Sequence, residues 1–593
     1  MRALGDRRKR TNLWFSLRMI MRAIRLAAVV MASGFSVACA SAPRAPGVAD
    51  RPYDLVIENG RIVDGSGNAW VYGDLAVRGD RIVRLAPPGS LARARAAQRL
   101  DARGLVVAPG FIDIQSHSRG PLLNGDGRVV SKVTQGITTE IMGEGSTNAP
   151  ANNGTAGLED GATPAQREEA LRFAGPRGFD AWLRAMEANG GSVNFGSFVG
   201  ATTVRMYGKG MAEGAASPAE LDSMRTVVRN AMQDGAFGIA SALIYPPGVY
   251  ASTQELVAIA KAMAPFGGVY ITHMRSEADE LLEAIDEALR IGREGGVPVE
   301  IYHLKAAGRR NWHKAALAVA KIDSARAAGQ DVSANMYPYV AGGTGLAACL
   351  PPWASADNKL LANLENPETR ARMKAEVLQE RTEWENLCQL ATPEGVRISA
   401  LRSPQYQQYS GQTVAQIATA LGREWPDVVM DLVLAERARI GAMYFIASEE
   451  NLAMQMRQPW IKFGTDAGGI DPDSARSLTH PRAYGTFTRV LGKYVREDRV
   501  MPLEEAVRKM SSAVANRLSI QDRGVLREGA FADIVVFDAA TVIDRATYDQ
   551  PHQISAGMHH VFVNGVQVVR DGRHTGAKPG RIVRGPGWTG AAQ

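Results

Sequence analysis

The middle of the chain alternates short apolar segments with amphipathic runs, and this alternation constrains the fold more than any other feature. The run from Glu277 to Arg293, for example, spaces Leu281, Ile285 and Leu289 along one helical face. Eight strand–helix units in succession are typical of a TIM-like (β/α)8 barrel. We therefore predict an α/β fold with such a barrel over residues 108–520. The predicted strands are residues 111–116, 137–142, 193–199, 236–243, 269–273, 299–303, 332–337 and 460–466.

The sequence pattern differs at both ends of the chain, where short predicted strands are separated by Gly- and Asp-containing turns. Residues 52–107 and 521–580 share this pattern, so we predict one small β-sandwich domain built from both chain ends, followed by a tail at 581–593. Within the barrel, the connection 341–448 is too long for a simple loop. We expect it to be a structured insertion that forms a lid or a substrate-side wall.

Residues 1–38 have the pattern of an export leader. A basic stretch ends at Arg25, an apolar run extends from Leu26 to Val37, and small residues surround Cys39. Two outcomes stay open: cleavage before a lipidated Cys39, or ordinary cleavage in the Ala38-Cys39-Ala40 stretch. About 12 apolar residues fall short of the roughly 20 needed to span a membrane. We predict a periplasmic or outer-membrane-anchored protein, with residues 39–51 as a tether.

The charge distribution bears on the partners. The leader holds eight basic side chains and one acidic side chain, which accounts for the whole formal charge of +7; the rest of the chain holds 60 of each sign. This balance removes the general reason to expect nucleic acid as a partner. We expect a small-molecule substrate, membrane contact only through a lipid on Cys39, and a chain compatible with an oligomer.

The cysteines limit the kind of metal site. Cys39, Cys349 and Cys388 are the three in the chain. We interpret them as too few and too scattered for a disulfide framework or a thiolate zinc cluster. Any metal ion must then be held mainly by histidine and carboxylate side chains.

Such side chains follow several predicted strands, at the end of the barrel where this fold places active sites. Glu144 follows the second strand, and His273, His303 and Asp466 end the fifth, sixth and eighth. A hydrolytic zinc takes about three protein ligands, for which His273, His303 and Glu144 qualify. Asp466 is then the candidate general base and acid. A lone histidine here would more often be a buried core residue, but four such positions in strand-end register favour a metal site.

Several motifs now carry a family resemblance. The motifs are VAPGFIDIQSH at 107–117, THMR at 272–275, HLK at 303–305, YPYVAG at 337–342, GTDA at 464–467, HPRAYGTF at 480–487, GAFADIVVF at 529–537 and DGRHTG at 571–576. The first of these resembles the first-strand signature of the amidohydrolase superfamily. Together they make the stretch from about Tyr53 to Gly585 resemble its N-acyl-D-amino-acid deacylase (D-aminoacylase) branch.

The resemblance implies a zinc-dependent enzyme that hydrolyses the amide of N-acyl amino acids, usually of D configuration. It implies that His273 and His303 are zinc ligands and that Asp466 is the catalytic aspartate. Arg482 corresponds to the arginine that receives the substrate's α-carboxylate, a role that suits a bidentate guanidinium. Lys305 and Tyr337 correspond to substrate contacts. Without the motifs around them, Lys305 and Arg482 would be interpreted as ordinary salt-bridge residues.

The sequence also departs from this family. Gln115 replaces the first histidine of the usual His-x-His pair, so we expect one tight zinc and at most a weak second site at His117, with Gln115 a doubtful ligand. The usual cysteine ligand after the second strand is missing, and Glu144 is the candidate substitute, with Glu140 as the fallback. Thr344 is the candidate for a substrate-binding hydroxyl that some relatives carry one residue earlier.

Three alternatives stay open from the sequence. A cyclic-amide hydrolase of the dihydropyrimidinase or hydantoinase type shares the barrel but uses a carbamylated strand lysine, and Lys132 lies upstream of the second strand. An amidase or peptidase acting on bulkier amides is compatible with the long insertion. A degenerate envelope binding protein would result if Gln115 had disabled the metal site.

Overall fold

A computed structural model describes residues 52–157 and 163–590, so the predicted leader and tether lie outside the described residues. The strands are β1 (Tyr53–Ile62), β2 (Val71–Arg78), β3 (Arg81–Ala86), β4 (Ala96–Asp101), β5 (Val106–Pro109), β6 (Phe111–Asp113), β7 (Ile137–Met142), β8 (Asn194–Ser197), β9 (Val199–Gly200), β10 (Gly238–Ala242), β11 (Val269–His273), β12 (Val299–Ile301), β13 (Val332–Met336), β14 (Ala341–Gly345), β15 (Val396–Ile398), β16 (Gly441–Phe445), β17 (Ile461–Phe463), β18 (Ile534–Phe537), β19 (Met558–Val563), β20 (Val566–Arg570) and β21 (Arg573–His574).

The helices lie mainly between the barrel strands and within the insertion. The α-helices are α1 (Arg119–Leu123), α2 (Val130–Val133), α3 (Pro164–Leu171), α4 (Gly178–Asn189), α5 (Ala201–Gly208), α6 (Pro218–Gln233), α7 (Thr253–Met263), α8 (Leu281–Gly295), α9 (Lys314–Ala327), α10 (Leu360–Glu365), α11 (Pro367–Val377), α12 (Leu387–Ala391), α13 (Val414–Leu421), α14 (Trp425–Ala435), α15 (Glu449–Met456), α16 (Arg482–Arg489), α17 (Leu503–Met510) and α18 (Ser512–Arg517). Short 3-10 helices span Thr155–Gly157, Gly248–Tyr250, Ala264–Phe266, Arg309–Asn311, Leu346–Cys349, Pro352–Asn358, Pro393–Gly395 and Gln407–Tyr409, and a π-helix spans Val490–Glu497.

The barrel strands confirm the predicted (β/α)8 architecture. Strands β6, β7 and β8 pair in parallel, and a second parallel set runs in the order β9-β10-β11-β12-β13-β17. Only Phe198 separates β8 from β9, so the two sets join there. At the other seam Ser116 pairs with Ala467, and the Asp466 amide donates to the Gln115 carbonyl at 2.8 Å. The sheet therefore closes between its first and last strands.

Local sequence signals explain where the helices begin and end. Helix α6 starts with a capping box in which Ser217 and Glu220 satisfy each other's backbone amides, followed by Pro218 at the first helical position. Helix α8 ends at Gly296, whose φ of 70° a glycine adopts without strain. The helix predicted from Glu277 begins only at Leu281, because Glu277 is buried at the carboxyl end of the barrel.

The two chain ends form one small β domain, as predicted. β1 to β5 and β18 to β21 belong to a single nine-stranded sheet, joined where β5 pairs antiparallel with β18. The sheet curls back on itself, since the Ile82 amide donates to the Ala530 carbonyl at 2.9 Å. Residues expected to form a tail instead continue along the barrel, where the Val583 amide donates to the Phe195 carbonyl at 2.7 Å.

The long connection is a folded unit with its own apolar core. Strands β14, β16 and β15 form an antiparallel sheet, and helices α10 to α14 pack with it. Buried residues of this core include Leu364, Val396, Ile417, Val429 and Tyr444. The insertion is therefore structured. In the part of the chain that the structure describes, no helix is both long and apolar enough to cross a membrane.

The insertion also corrects the interpretation of the cysteines. Cys349 and Cys388 form a disulfide, with their Cα atoms 5.1 Å apart. The spacing of 39 residues gave no sign of this pairing, because the two residues meet only when the 3-10 helix 346–349 packs against α12. The expectation that the cysteines are too few and too scattered for a disulfide framework did not anticipate this single disulfide.

Removing this cross-link should loosen the insertion. A disulfide closing a loop of this length is expected to stabilise the fold by about 3–4 kcal/mol. We expect the double variant Cys349→Ala, Cys388→Ala to unfold at a lower temperature than the wild type in a thermal scan. Dithiothreitol should lower the wild-type transition toward that of the variant and leave the variant unchanged; equal transitions for both proteins without reductant would contradict the prediction.

Candidate active site

A cavity of about 390 Å³ opens at the carboxyl ends of the barrel strands. One side is formed by residues that follow the strands, including Glu144, His273 and Asp466. The other side is formed by the insertion, including Leu387 and Tyr444. The candidate residues thus meet at the end of the barrel that the sequence indicated, and the insertion supplies the facing wall.

The Glu144 carboxylate is the point on which the site converges. Its Oε1 lies 3.2 Å from His273 Nδ1 and 3.3 Å from His303 Nε2. Its Oε2 accepts a hydrogen bond of 2.6 Å from the Gln115 amide. Burial alone would raise the pKa of Glu144, but hydrogen bonds from His117, His273 and His303 outweigh it and hold the pKa well below its ordinary value. Glu144 is therefore an anionic ligand candidate.

Glu144, His273 and His303 fit a metal ion. Each offers one ligand atom, and the three atoms lie within 4.8 Å of one another. The far nitrogen of His303, Nδ1, lies 2.8 Å from the Glu277 carboxylate, which is the outer partner that metal-bound imidazoles usually have. Two imidazoles and one carboxylate form a donor set typical of a catalytic zinc. The fallback Glu140 is instead fully buried within β7, where its carboxylate accepts a 2.6 Å hydrogen bond from Ser116.

Two of the converging residues hold strained backbone. His303 has a φ of 30° and Asp466 a φ of 50°, both in the left-handed region that non-glycine residues rarely adopt. Such conformations cost about 1–3 kcal/mol each and persist where the surroundings enforce them. Here the His303 amide donates to Asn335 Oδ1 at 2.9 Å and the Asp466 amide to the Gln115 carbonyl. These bonds direct both side chains into the cavity.

His117 and Asp466 form a second cluster beside the first. His117 Nε2 lies 2.9 Å from Asp466 Oδ1 and 3.4 Å from Glu144 Oε2. His117, Glu144 and Asp466 are also a possible metal-holding group, whereas Gln115 is outside it. Burial would lower the pKa of His117, but the hydrogen bonds to Asp466 and Glu144 raise it to about 9. The third member of this possible metal-holding group is therefore Asp466 and not Gln115.

Asp466 and Arg482 form a buried ion pair, with Nη1 2.6 Å from Oδ2. Burial alone would raise the pKa of Asp466, yet the Arg482 charge and the His117 hydrogen bond keep it below its ordinary value, so the side chain is ionised at neutral pH. Arg482 Nη2 donates to the Gly343 carbonyl at 3.0 Å. Its Nε–H is buried and finds no acceptor among the described residues.

The other predicted substrate residues also line the cavity. The Tyr337 ring lies 4.8 Å from the Arg482 guanidinium carbon. Thr344 on β14 accepts a hydrogen bond of 2.9 Å from the Tyr245 hydroxyl. Lys305, which was expected to contact the substrate, is instead paired within the protein, because its Nζ donates to both Glu277 oxygens at 2.7 Å. The structure places its charge in an ion pair at the edge of the cavity.

Sequence reasoning missed two buried carboxylates. Glu277 lies four residues after His273 and joins His303 to Lys305, a spacing that could have been noticed. Glu385 comes from the insertion, and one of its oxygens accepts the Glu277 backbone amide. Burial, and then the nearby Glu277 charge, raises the pKa of Glu385 to about 8. The position of Glu385 depends on how the insertion folds, so the pattern of predicted strands gave no indication of it.

Lys132 lies away from the metal-ligating groups. Its Nζ donates to Asp113 at 2.8 Å and to Thr465 at 2.6 Å, with no solvent exposure. This lysine therefore serves as a structural ion pair. It does not bridge metals as the strand lysine of a cyclic-amide hydrolase does.

Comparison with known proteins agrees with this geometry. The protein-family model with the description "Amidohydrolase family" matches residues 442–569. The D-aminoacylase of Alcaligenes xylosoxydans xylosoxydans is 35% identical over 537 residues, covering 90% of this chain and 98% of its own length. The N-acyl-D-aspartate deacylase and N-acyl-D-glutamate deacylase of the same organism are each 35% identical, covering 89% and 90% of this chain and 95% and 96% of their own lengths.

Solved structures show the same relationship. A D-aminoacylase studied for its binuclear metal centre superposes with a TM-score of 0.74 at 33% identity, covering 90% of this chain and all of its own. The N-acyl-D-glutamate deacylase of Bordetella bronchiseptica, complexed with zinc and a phosphonate inhibitor, gives a TM-score of 0.72 at 32% identity with the same coverage. The chain therefore belongs to the D-aminoacylase (N-acyl-D-amino-acid deacylase) family of the amidohydrolase superfamily.

Proposed function

We propose that this amidohydrolase uses zinc to hydrolyse the linear amide bond of N-acyl-D-amino acids. The observation that carries the proposal is the convergence of His273, His303 and Glu144 beside the Asp466–Arg482 pair. Relatives that match about nine-tenths of this chain are a D-aminoacylase and N-acyl-D-amino-acid deacylases, and one of these was solved with zinc and a mimic of the tetrahedral intermediate. Zinc bound there would polarise the scissile carbonyl and acidify water.

Asp466 is placed to move the proton. Its carboxylate is ionised, buried and within 2.9 Å of His117 Nε2. As general base it accepts the proton that the attacking water loses, and as general acid it delivers that proton to the departing amine. The strained backbone at Asp466 holds the carboxylate in the cavity while it does so.

Arg482 is placed to hold the other end of the substrate. Its Nε–H has no acceptor among the described residues and the guanidinium is nearly fully buried. Because Arg482 lines the cavity and a guanidinium can pair with a carboxylate, we assign the substrate α-carboxylate to this side chain. Tyr337 packs against the guanidinium. The Thr344 hydroxyl on β14 accepts a hydrogen bond from Tyr245, so its own proton can be donated to the substrate carboxylate.

The first test is turnover. Purified protein with added zinc should release D-amino acids from N-acetyl-D-amino acids in an amine-detection assay and act far more slowly on the L enantiomers. Asp466→Asn should retain zinc but lose roughly 10²–10⁴-fold in kcat, the usual range for a lost general acid or base. Wild-type rates in the variant would remove Asp466 from this role, and equal rates on D and L compounds would refute the assigned stereochemistry.

The second test concerns the metal ligands. Glu144→Ala should lower zinc affinity by more than the roughly 10–100-fold typical of outer partners, because it removes the one carboxylate shared by His273 and His303. Glu140→Gln is the matched control, since Glu140 bonds to Ser116 rather than to the histidines. Zinc retained per chain after dialysis against a chelator measures both. Full zinc in Glu144→Ala would remove Glu144 as a ligand, and loss of zinc in the control alone would place the ligand at Glu140.

We also propose that the chain is exported. The basic, apolar and small-residue order of residues 1–38 supports this, with Cys39 as the site of cleavage or lipidation. The Cys349–Cys388 disulfide supports it independently, because disulfides persist mainly in oxidising compartments outside the cytosol.

Cell fractionation tests this proposal. The full chain with a C-terminal tag, expressed in a Gram-negative host, should appear in the periplasmic or envelope fraction, and deletion of residues 2–38 should retain it in the cytoplasm. Cys39→Ser separates the two export routes: it should release the protein from membranes if Cys39 carries lipid. Full-length protein found in the cytoplasm alone would overturn the proposal.

A further inference from the structure

His273 has a second ring nitrogen that the metal-ligating group does not use. Its Nδ1 faces the Glu144 carboxylate at 3.2 Å. When Nδ1 gives its lone pair to a metal ion, Nε2 carries the ring proton and is a hydrogen-bond donor. Nε2 is buried and has no partner among the described residues. A metal-bound imidazole almost always donates this proton to a carboxylate, a carbonyl or water, so His273 requires an acceptor close to Nε2.

The carboxylate that the barrel places near this nitrogen, Glu277, is held by other partners. Its Oε2 lies 3.8 Å from His273 Nε2, which is beyond hydrogen-bond distance. Lys305 Nζ donates to both Glu277 oxygens at 2.7 Å, and Glu277 Oε1 also lies 2.8 Å from His303 Nδ1. Glu277 is therefore the partner of His303 and Lys305, and the acceptor for His273 comes from another residue.

Glu385 of the insertion offers an acceptor at this place. It lines the cavity and is 8% exposed. Its Oε2 accepts the Glu277 backbone amide, whereas its Oε1 is buried and has no partner in the part of the chain that the structure describes. One Glu385 oxygen lies within 4.8 Å of a ring nitrogen of His273, a separation that one water molecule bridges. Protonated or ionised, a carboxyl group keeps acceptor capacity. An unused donor and an unused acceptor thus lie close together in a buried place, where leaving both unpaired is costly.

The spacing of His273, Glu277 and Glu385 would also suit a cation. The contacts of Lys305 disfavour this use, because its ammonium group is bonded to both Glu277 oxygens and already supplies a positive charge. A metal ion at this place would have to displace that ammonium group from its buried carboxylate partner. A hydrogen bond between His273 and Glu385 needs no such displacement, so we assign Glu385 to hydrogen bonding.

The chain around Glu385 is fixed by bonds of its own. The Asn386 side chain caps the start of α12 and donates to the Val377 carbonyl at 3.0 Å. Cys388, within α12, is bonded to Cys349. A side chain is held most precisely when the segment that carries it is rigid. The insertion is therefore built to present the Glu385 carboxyl group at one position.

We propose that Glu385 is a positioning residue that accepts the hydrogen bond of His273 Nε2, directly or through one water molecule, and thereby makes the zinc affinity of the barrel depend on the insertion. The inference rests on the proposed function for the placement of zinc at His273. Glu277 does the same for His303, so each imidazole has a carboxylate partner that fixes its tautomer and ring orientation. One partner belongs to the barrel and the other to the insertion.

Zinc affinity tests this role without turnover. Glu385→Gln keeps the size of the side chain but replaces one oxygen by an NH2 group, which cannot accept from Nε2 while the other oxygen holds the Glu277 amide. We expect this variant to bind zinc roughly 10–100-fold more weakly than the wild type in competition with a chromogenic chelator. Glu383→Gln is the matched control and should bind zinc as the wild type does, because Glu383 is an exposed residue of the same segment and does not line the cavity.

Cobalt(II) in place of zinc gives a readout that a merely structural residue would not change. The visible absorption of bound cobalt depends on the geometry of its ligands. We expect the bands of cobalt-loaded Glu385→Gln to shift from those of the wild type, because the ring of one ligand is reoriented. The thermal transitions of the metal-free proteins should coincide, and Glu383→Gln should match the wild type in both measurements.

The outcomes separate this inference from the proposed function. Equal zinc affinities for the wild type and Glu385→Gln would overturn the inference alone. Weaker zinc binding by Glu385→Gln together with a wild type that hydrolyses no N-acyl-D-amino acid would support the inference and refute the proposed function. A wild type that binds no zinc would overturn both.

Two further results would also decide. If the wild type binds two zinc ions and Glu385→Gln loses one while keeping the other at full affinity, Glu385 is a ligand and the positioning role is overturned. If Glu385→Gln does not fold, Glu385→Asp takes its place, because its shorter side chain withdraws the carboxylate from His273. Zinc affinity about tenfold weaker in that variant would support the inference, and unchanged affinity would overturn it.

Discussion

The seam that closes the barrel is the constraint on which the active site depends. Asp113, at the end of the first barrel strand, accepts hydrogen bonds from Lys132 Nζ at 2.8 Å and from the Thr465 amide and hydroxyl at 2.9 and 2.6 Å. These three residues are fully buried, and removing one partner would leave an uncompensated charge or donor. The seam joins residues 352 positions apart. His117 and Asp466 lie just beyond it, so the proton-transfer group exists only when the barrel is closed.

Two residues of the site adopt strained backbone conformations, and these conformations bring the side chains of the site together. His303 and Asp466 both leave their strands with positive φ, and each is held by a backbone hydrogen bond to a neighbouring strand segment. That conformation turns the side chains toward Glu144, where histidines from three strands meet one carboxylate. A rigid barrel with many parallel hydrogen bonds can support this strain, whereas an isolated loop could not.

The barrel, the two-ended β domain and the strand-end positions of His273, His303 and Asp466 were accessible from sequence, because strand periodicity and strand-end register are local signals. Glu144 was already preferred to Glu140, but the sequence kept both open, because Glu140 lies in β7 and Glu144 just after it. Only the facing histidines distinguish them. The Cys349–Cys388 disulfide and the position of Glu385 depend on how the insertion packs. The pairing of Lys305 with Glu277 was missed because a family resemblance indicates where a side chain lies but not which residue neutralises its charge.

The replacement of a histidine by Gln115 shows how one residue changes the site. Glu144 is ionised, so an amide placed 2.6 Å from its Oε2 must present its N–H, since two facing oxygens would repel. Gln115 is then a donor that occupies Oε2, and Glu144 would use its other oxygen to hold an ion together with His273 and His303. The neighbouring position keeps His117 and Asp466, but Asp466 is already bound to Arg482. Both effects favour one tightly bound metal ion. The second position, at His117 and Asp466, is then left to Asp466, the residue that transfers the proton.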